Sequence, residues 1–138
     1  MSRGIRNNNP GNIDYNPANK WLGQIGIETG AKNPRFCRFE SPEYGIRALF
    51  KLLRNYQANP KLPLHSIRKI INRYAPSVEN NTERYIRFVA EKLGVSADVT
   101  ISTQDKHILF ALAEGIIHME NGQQPYSPET FERTFELL

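Results

Sequence analysis

A single cysteine, Cys37, in 138 residues excludes an internal disulfide and leaves no thiolate set for a metal cluster. The three histidines, His65, His107 and His118, lack the spacing of a zinc pair, the last two standing eleven apart rather than four. There is no Walker-type glycine loop to cradle a phosphate and no G-x-S-x-G nucleophile elbow, and no Ser-His-Asp or Cys-His arrangement has supporting context. Apolar runs are far too short to span a bilayer. The stretch "MSRGIRNNNPGN" contains no apolar h-region, so neither membrane insertion nor a Sec-type signal peptide is expected. No repeat, low-complexity tract or linker-like break interrupts the chain. These absences point to one domain over residues 1–138 that uses neither a metal nor an organic cofactor.

What is present is an ordinary globular composition, 39% hydrophobic and 23% charged, on a chain long enough to bury a modest core. The net charge of +4 and a pI near 9.3 favour an anionic partner; nucleic acid, membrane surfaces and bacterial cell walls all qualify. Residues 1–40 are rich in Asn, Gly and Pro, with β-prone pieces around Trp21–Ile27 and Phe36–Phe39, which reads as turns plus a small hairpin. Residues 41–138 are helical in pattern. A first helix starts at Ser41-Pro42-Glu43, with the Ser41 hydroxyl as its cap, and carries Ile46, Leu49, Phe50 and Leu53 on one face. A second begins near Pro63 and stops before Pro76. A third runs from Asn81-Thr82 to Gly94. A fourth opens on a near-capping box, Ser102 and Asp105, and runs to Glu120 with Gly122 as its stop. The last starts at Ser127-Pro128-Glu129 and packs Phe131, Phe135 and Leu138. The fold class expected is mainly α with a small β-hairpin element, α+β rather than parallel α/β.

One residue contradicts the economy of its helix. In the fourth helix the apolar stripe runs through Ile108, Leu112 and Ile116, and the next step of four is Glu120, in "HMENG". A carboxyl there would be desolvated and would feel the negative end of the helix dipole, both of which favour the proton. That is what a general acid near neutral pH requires. A one-residue change of phase would instead turn Glu120 outward as a solvated last-turn residue. Glu28, in "IGIETG", is either a second polar group facing a cleft or an exposed hairpin acid. Glu43 and Glu129 suit first-turn helix stabilisation, Glu114 falls on the face opposite Glu120, and Glu79 fits a loop or cap. Tyr74 ends a helix face as core ring or cleft ring. Tyr15, Trp21 and Tyr126 lie in Gly/Asn/Pro-rich segments, where aromatic rings either stack on sugars or anchor a small sheet.

The stretch "RGIRNNNPGNI", followed by "WLGQIG", "RFESPEYGIRALFKLLRNYQ", "RYAPSVENNTERYI" and "HMENG", resembles a phage and prophage family whose members are described as virion structural proteins or lytic enzymes. The resemblance covers nearly the whole chain. The order of the segments is also similar to a lytic transglycosylase of the lysozyme superfamily with its start moved. "GQIG" resembles that superfamily's Gly…Gln hairpin, and "SPEYGIRALFKLLRNY" its Pro-Glu, Leu-rich helix. "RYAPSVENNTERYI" takes the place of a Tyr-Asn-Ala-Gly segment, with Tyr74-Ala75 matching and Pro76 departing. The helix ending in Glu120 then resembles the catalytic helix, moved from front to back by circular permutation.

The resemblance implies cleavage of the β-1,4 bond between N-acetylmuramic acid and N-acetylglucosamine in peptidoglycan. It implies Glu120 as the general acid/base, Glu28 as an accessory carboxylate, and substrate contacts from Gln24 and Tyr74; Tyr15, Trp21 and Tyr126 join them as substrate-binding candidates on their Gly/Asn/Pro-rich settings alone. Expected partners are peptidoglycan glycan strands and phage virion proteins, with the protein a monomer acting at the bacterial cell wall after synthesis in the host cytoplasm. A non-catalytic virion or cell-wall-binding role is the alternative. Arg68, Lys69, Arg73, Arg84 and Arg87 on helical faces raise a nucleic-acid-binding reading, but without a recognition motif they are ordinary solvated charge, and no nucleic acid partner is expected.

Overall fold

The structure, a computed structural model, describes every residue except 62, 78 and 79, so the Glu79 assignment lies outside the described residues. Six helices and two strands are found among the described residues: α1 (Arg3–Arg6), β1 (Gln24–Ile27), β2 (Cys37–Phe39), α2 (Pro42–Ala58), α3 (Ile67–Tyr74), α4 (Thr82–Leu93), α5 (Lys106–Asn121) and α6 (Pro128–Glu136). The expectation of a mainly helical chain with a small antiparallel hairpin holds. β1 and β2 pair Gln24 with Phe39, Gly26 with Arg38 and Ile27 with Cys37, and the register slips between Gln24 and Gly26.

α5 is the central element. Leu109, Leu112, Ala113, Ile116 and Ile117 are fully buried on it, against the apolar faces of α4 and α2. Asp105 caps its start by accepting from the backbone N–H groups of His107 and Ile108. Gly122, at φ +74°, ends it in the left-handed conformation that glycine adopts without steric cost. An aromatic cluster brings in the C-terminus: Phe110 of α5 stacks on Phe50 of α2 at 5.4 Å and meets Phe131 and Phe135 of α6 at 5.5 and 5.7 Å. Among the described residues, no helix is long and apolar enough to cross a membrane.

Three local expectations need correction. α3 starts at Ile67, not near Pro63, because the preceding backbone is committed elsewhere. Leu64 N–H donates to Tyr56 and Ile101 N–H donates to the His65 carbonyl, so Ser66 becomes the cap instead. Ser41 makes no side-chain cap bond to α2, whereas Ser127, in the same Ser-Pro-Glu context, accepts from Thr130 N–H. At α5, Asp105 caps alone while Ser102 accepts from Gln104 N–H in the turn before it.

The Asn-rich N-terminus is the largest departure from a turn-and-hairpin reading. After the single turn of α1, Asn7 and Asn9 are 2% and 0% exposed. Asn9 Nδ2 donates to the Ile13 and Cys37 carbonyls at 3.0 Å each, and its Oδ1 accepts from Ile13 N–H. Asn8 Nδ2 donates to the Phe39 carbonyl. These amides replace backbone partners that a two-stranded sheet is too small to supply, and they fasten residues 7–13 to the hairpin.

Candidate active site

The end of α5 opens onto a cleft of about 490 Å³ between the N-terminal turns, the hairpin side and the α2–α3 end of the molecule. Glu120 lines it, half-buried, on the continuation of the α5 core stripe. Asn12 Nδ2 donates to Glu120 Oε1 and the Tyr85 hydroxyl to Oε2, both at 3.0 Å. Burial is the strongest influence on this carboxyl and raises its pKa. The bonds from Asn12 and Tyr85 and the charge of Arg35 pull it back, Asp14 adds to the rise, and the outcome is upward. A carboxyl so placed keeps its proton into a range where an ordinary glutamate has lost it, yet it is held by two neutral donors that also fix its direction.

Both donors follow from local structure. Asn12 sits at φ +51°, the left-handed region that asparagine tolerates better than other side chains, and this conformation turns its amide towards α5. Tyr85 belongs to the buried face of α4, where its hydroxyl needs a partner; Glu120 provides it. Beneath them the Tyr74 hydroxyl donates to the Gly11 carbonyl. A Cβ at Gly11 would stand 2.6 Å from that hydroxyl and 3.3 Å from Leu49, so a larger residue there would displace the Tyr74 hydroxyl from its bond. Burial, followed by the nearby Glu120 charge, pushes the Tyr74 and Tyr85 hydroxyls well above the usual tyrosine range, which keeps both as neutral donors.

No protein-family model matches the chain. Over 137 residues it is 38% identical to Protein P5 of Pseudoalteromonas phage PM2, covering 98% of this chain and 81% of that protein. The chain belongs to the family of this phage protein. The expectation of a bacteriophage origin holds, and the relative's name says nothing of lytic activity.

The structure brings together some of the expected site residues and separates others. Glu120, Tyr74 and Trp21 line the same cleft. Glu28 does not, and the expectation that it faces a cleft is corrected: it is 2% exposed and saturated by donors. Arg3 Nε and Nη2 reach its two oxygens at 2.8 and 2.5 Å, the Arg35 and Phe36 backbone N–H groups donate at 2.8 and 3.0 Å, and Asn7 Nδ2 at 3.3 Å. Chiefly through the Arg3 bonds, its carboxyl is held far below the usual range. Glu28 is a permanent anion that closes the hairpin.

Gln24 lies outside the cleft lining, its Oε1 accepting from Trp21 N–H where β1 begins. Tyr15 is half-buried against the core rather than in the cleft, with its N–H donating to the Arg35 carbonyl. Tyr126 is displaced furthest. Gln124 folds its loop back, accepting from Tyr126 N–H at 2.6 Å and donating to its carbonyl at 3.1 Å. The ring therefore enters a separate 110 Å³ cavity beside Phe110 and Phe131, where burial pushes its hydroxyl up to about 12. Glu43 and Glu114 lie outside the cleft lining, Glu43 pairing with Arg133 at 3.2 Å and Glu114 lying 3.8 Å from Lys92. His118 is exposed and packs on Phe88.

The cleft also contains groups that sequence reasoning did not place in a site, Arg73 among them having been read as solvated charge. Asp14 and Arg35 line it as an ion pair at 2.6 Å, and Tyr56, Arg73 and Asn80 line its other side. Tyr85 was legible in principle, since a tyrosine inside an apolar stripe and a glutamate inside another are each other's missing partner. Asn12 had only the density of asparagines in "NNNPGN" to mark it. Among the described residues, no group of three or more His, Cys, Asp or Glu is arranged to hold a metal ion.

Proposed function

We propose that the protein is a peptidoglycan lytic transglycosylase, cleaving the β-1,4 bond between N-acetylmuramic acid and N-acetylglucosamine with Glu120 as general acid and then base. The observation that carries this reading is a glutamate whose pKa is raised by burial, directed by Asn12 and Tyr85 into an open polar cleft. Protonated Glu120 donates to the leaving glycosidic oxygen as the bond to C1 breaks. The muramyl 6-hydroxyl then attacks C1, Glu120 takes its proton back, and the product is a 1,6-anhydro sugar. Trp21, Tyr56 and Tyr74 supply ring surface for sugars, and Asn16, Asn19 and Asn80 supply amides for hydroxyl and acetamido groups. With Glu28 locked in its ion pair, this route asks for only one protonated carboxyl. In the same reading the order of segments is that of a circularly permuted lysozyme-like fold, and the protein acts at the cell wall, carried by or released with a phage.

Two observations favour other readings. Asp14 shares the cleft, and as a carboxylate it is able to orient a water molecule, which would give hydrolysis and a reducing-end product. Leu22, Ile25 and Ile27 are exposed on and beside β1, which suits a non-catalytic protein docked on a virion partner.

A digest of purified sacculi read by mass spectrometry separates them. Anhydromuropeptides that vanish with Glu120→Gln and persist with Asp14→Asn support the transglycosylase. Reducing-end products lost in both variants support hydrolysis with Asp14. No product from a folded wild-type protein removes the enzyme reading and leaves the virion role.

A further inference from the structure

The cleft contains two arginines in different electrostatic situations. Arg35 is engaged with Asp14 through Nε and Nη2, at 2.6 and 3.3 Å, and lies over the Phe36 ring. Arg73 stands in the last turn of α3 and is exposed, and among the described residues no carboxylate pairs with it. Its guanidinium lies 5.8 Å from the centroid of Tyr56, which lines the same cleft, so the side chain is laid along the wall on an aromatic surface. The proximity is electrostatic as well as steric: the Arg73 charge works against the rise that burial imposes on the Tyr56 hydroxyl. A cation at a helix C-terminus gains from the helix dipole wherever it points, but that gain does not require it to line a cleft or rest on a ring.

Asp14 is already offset by Arg35, so Arg73 is the exposed cation of the cleft with no carboxylate paired to it among the described residues. A wholly neutral glycan offers it hydroxyl and acetamido oxygens but no opposite charge. A planar fork of N–H donors preorganised on a ring is suited to a carboxylate, which it can meet with two parallel hydrogen bonds. We infer that Arg73 is a specificity-determining residue that binds a carboxylate of the substrate, so that the cleft selects acidic glycans over neutral ones of the same backbone. This deepens the proposed function and rests on it. Two substrate groups share the required chemistry: the lactyl carboxylate of a peptide-free muramyl residue, and the carboxylates of a stem peptide attached in its place.

The test is calorimetric binding to the Glu120→Gln protein, so that turnover does not consume the ligand. Three tetrasaccharides are compared: an all-N-acetylglucosamine chain, a peptide-free alternating glycan, and the same glycan carrying stem peptides. Each is titrated into protein with Arg73 intact, with Arg73→Met and with Arg73→Lys, after thermal melting has shown all three to be folded. The expected result is a fall of about tenfold or more in the preference for an acidic over the neutral ligand in Arg73→Met, as for loss of a charged hydrogen-bonded pair, with partial recovery in Arg73→Lys. A fall confined to the peptide-free glycan assigns the lactyl group, and one confined to the peptide-bearing glycan assigns the stem. An unchanged preference overturns the inference while leaving the transglycosylase reading intact. No binding of any glycan with Arg73 intact overturns both.

Discussion

Glu28, in the hairpin, and Glu120, in the last turn of α5, are two glutamates withdrawn from water, and their neighbours treat them in opposite ways. Glu28 receives a bidentate guanidinium, two backbone N–H groups and an asparagine amide, and is an anion at any ordinary pH. Glu120 receives one amide and one phenol, with no cation bonded to it, and burial moves it the other way. The difference teaches that desolvation alone does not raise a carboxyl's pKa. It does so where the surrounding donors are too few and too weak to offset the loss of water. Each carboxylate is suited to one task, and exchanging their roles would require exchanging their neighbours.

The largest effect expected from breaking this comparison is functional. Glu120→Gln should lower turnover on peptidoglycan by about a thousandfold, within the range for losing a general acid, while Glu28→Gln, assayed where it is still folded, should lose little. Release of anhydromuropeptides under single-turnover conditions measures both. A comparable loss of turnover in folded Glu28→Gln would mean that the two sites are not separate.

Stability should show the reverse pattern. Glu28→Gln leaves Arg3 without its carboxylate and should cost about 3 kcal/mol in urea unfolding, towards the lower end for a broken buried pair because Arg3 is partly solvated. The pH dependence carries the sign. A carboxyl lowered in the folded state contributes stability above the ordinary glutamate value near 4.5, and that contribution is lost as pH falls towards the folded value. The gap between wild type and Glu28→Gln should therefore narrow in acid.

Glu120→Gln should do the opposite on a smaller scale. A carboxyl raised in the folded state favours folding relative to its ionised form below about 4.5, and that advantage is lost as pH rises through the folded value. The amide escapes this loss, so the variant should be more stable than wild type at pH 7 and no more stable at pH 4. A destabilised Glu120→Gln at pH 7 would show that the glutamate serves the fold rather than the cleft.

The smallest effect sharpens the comparison. Tyr85→Phe removes one of the two donors that pull the Glu120 pKa down, so the alkaline limb of the pH–rate profile should move further up, at a stability cost of about 1 kcal/mol for the lost bond. A limb that moves down would mean that the hydroxyl was accepting from a protonated Glu120 instead.

Much of this was written locally. The periodicity of residues 106–121, with Asp105 before it and Gly122 after it, is enough to predict α5 and the direction in which Glu120 points. The same holds for α4 between Asn81 and Gly94 and for α6 after Ser127. Those features depend on residues within one or two turns of one another, and short-range sterics and capping bonds settle them. Pairings across the chain were not legible. Nothing in "IGIETG" tells that Arg3, twenty-five positions earlier, will neutralise Glu28, or that Asn12 will meet a helix end 108 residues later. Tyr126 could not be excluded from the cleft before its loop was seen to fold back on Gln124. Sequence alone therefore determined where the helices run, which faces are apolar and that one of those faces ends in an acid. Tertiary structure decided which acid has its pKa raised and which lowered, because a pKa depends on how many donors and how much water surround a group, and those neighbours come from every part of the chain.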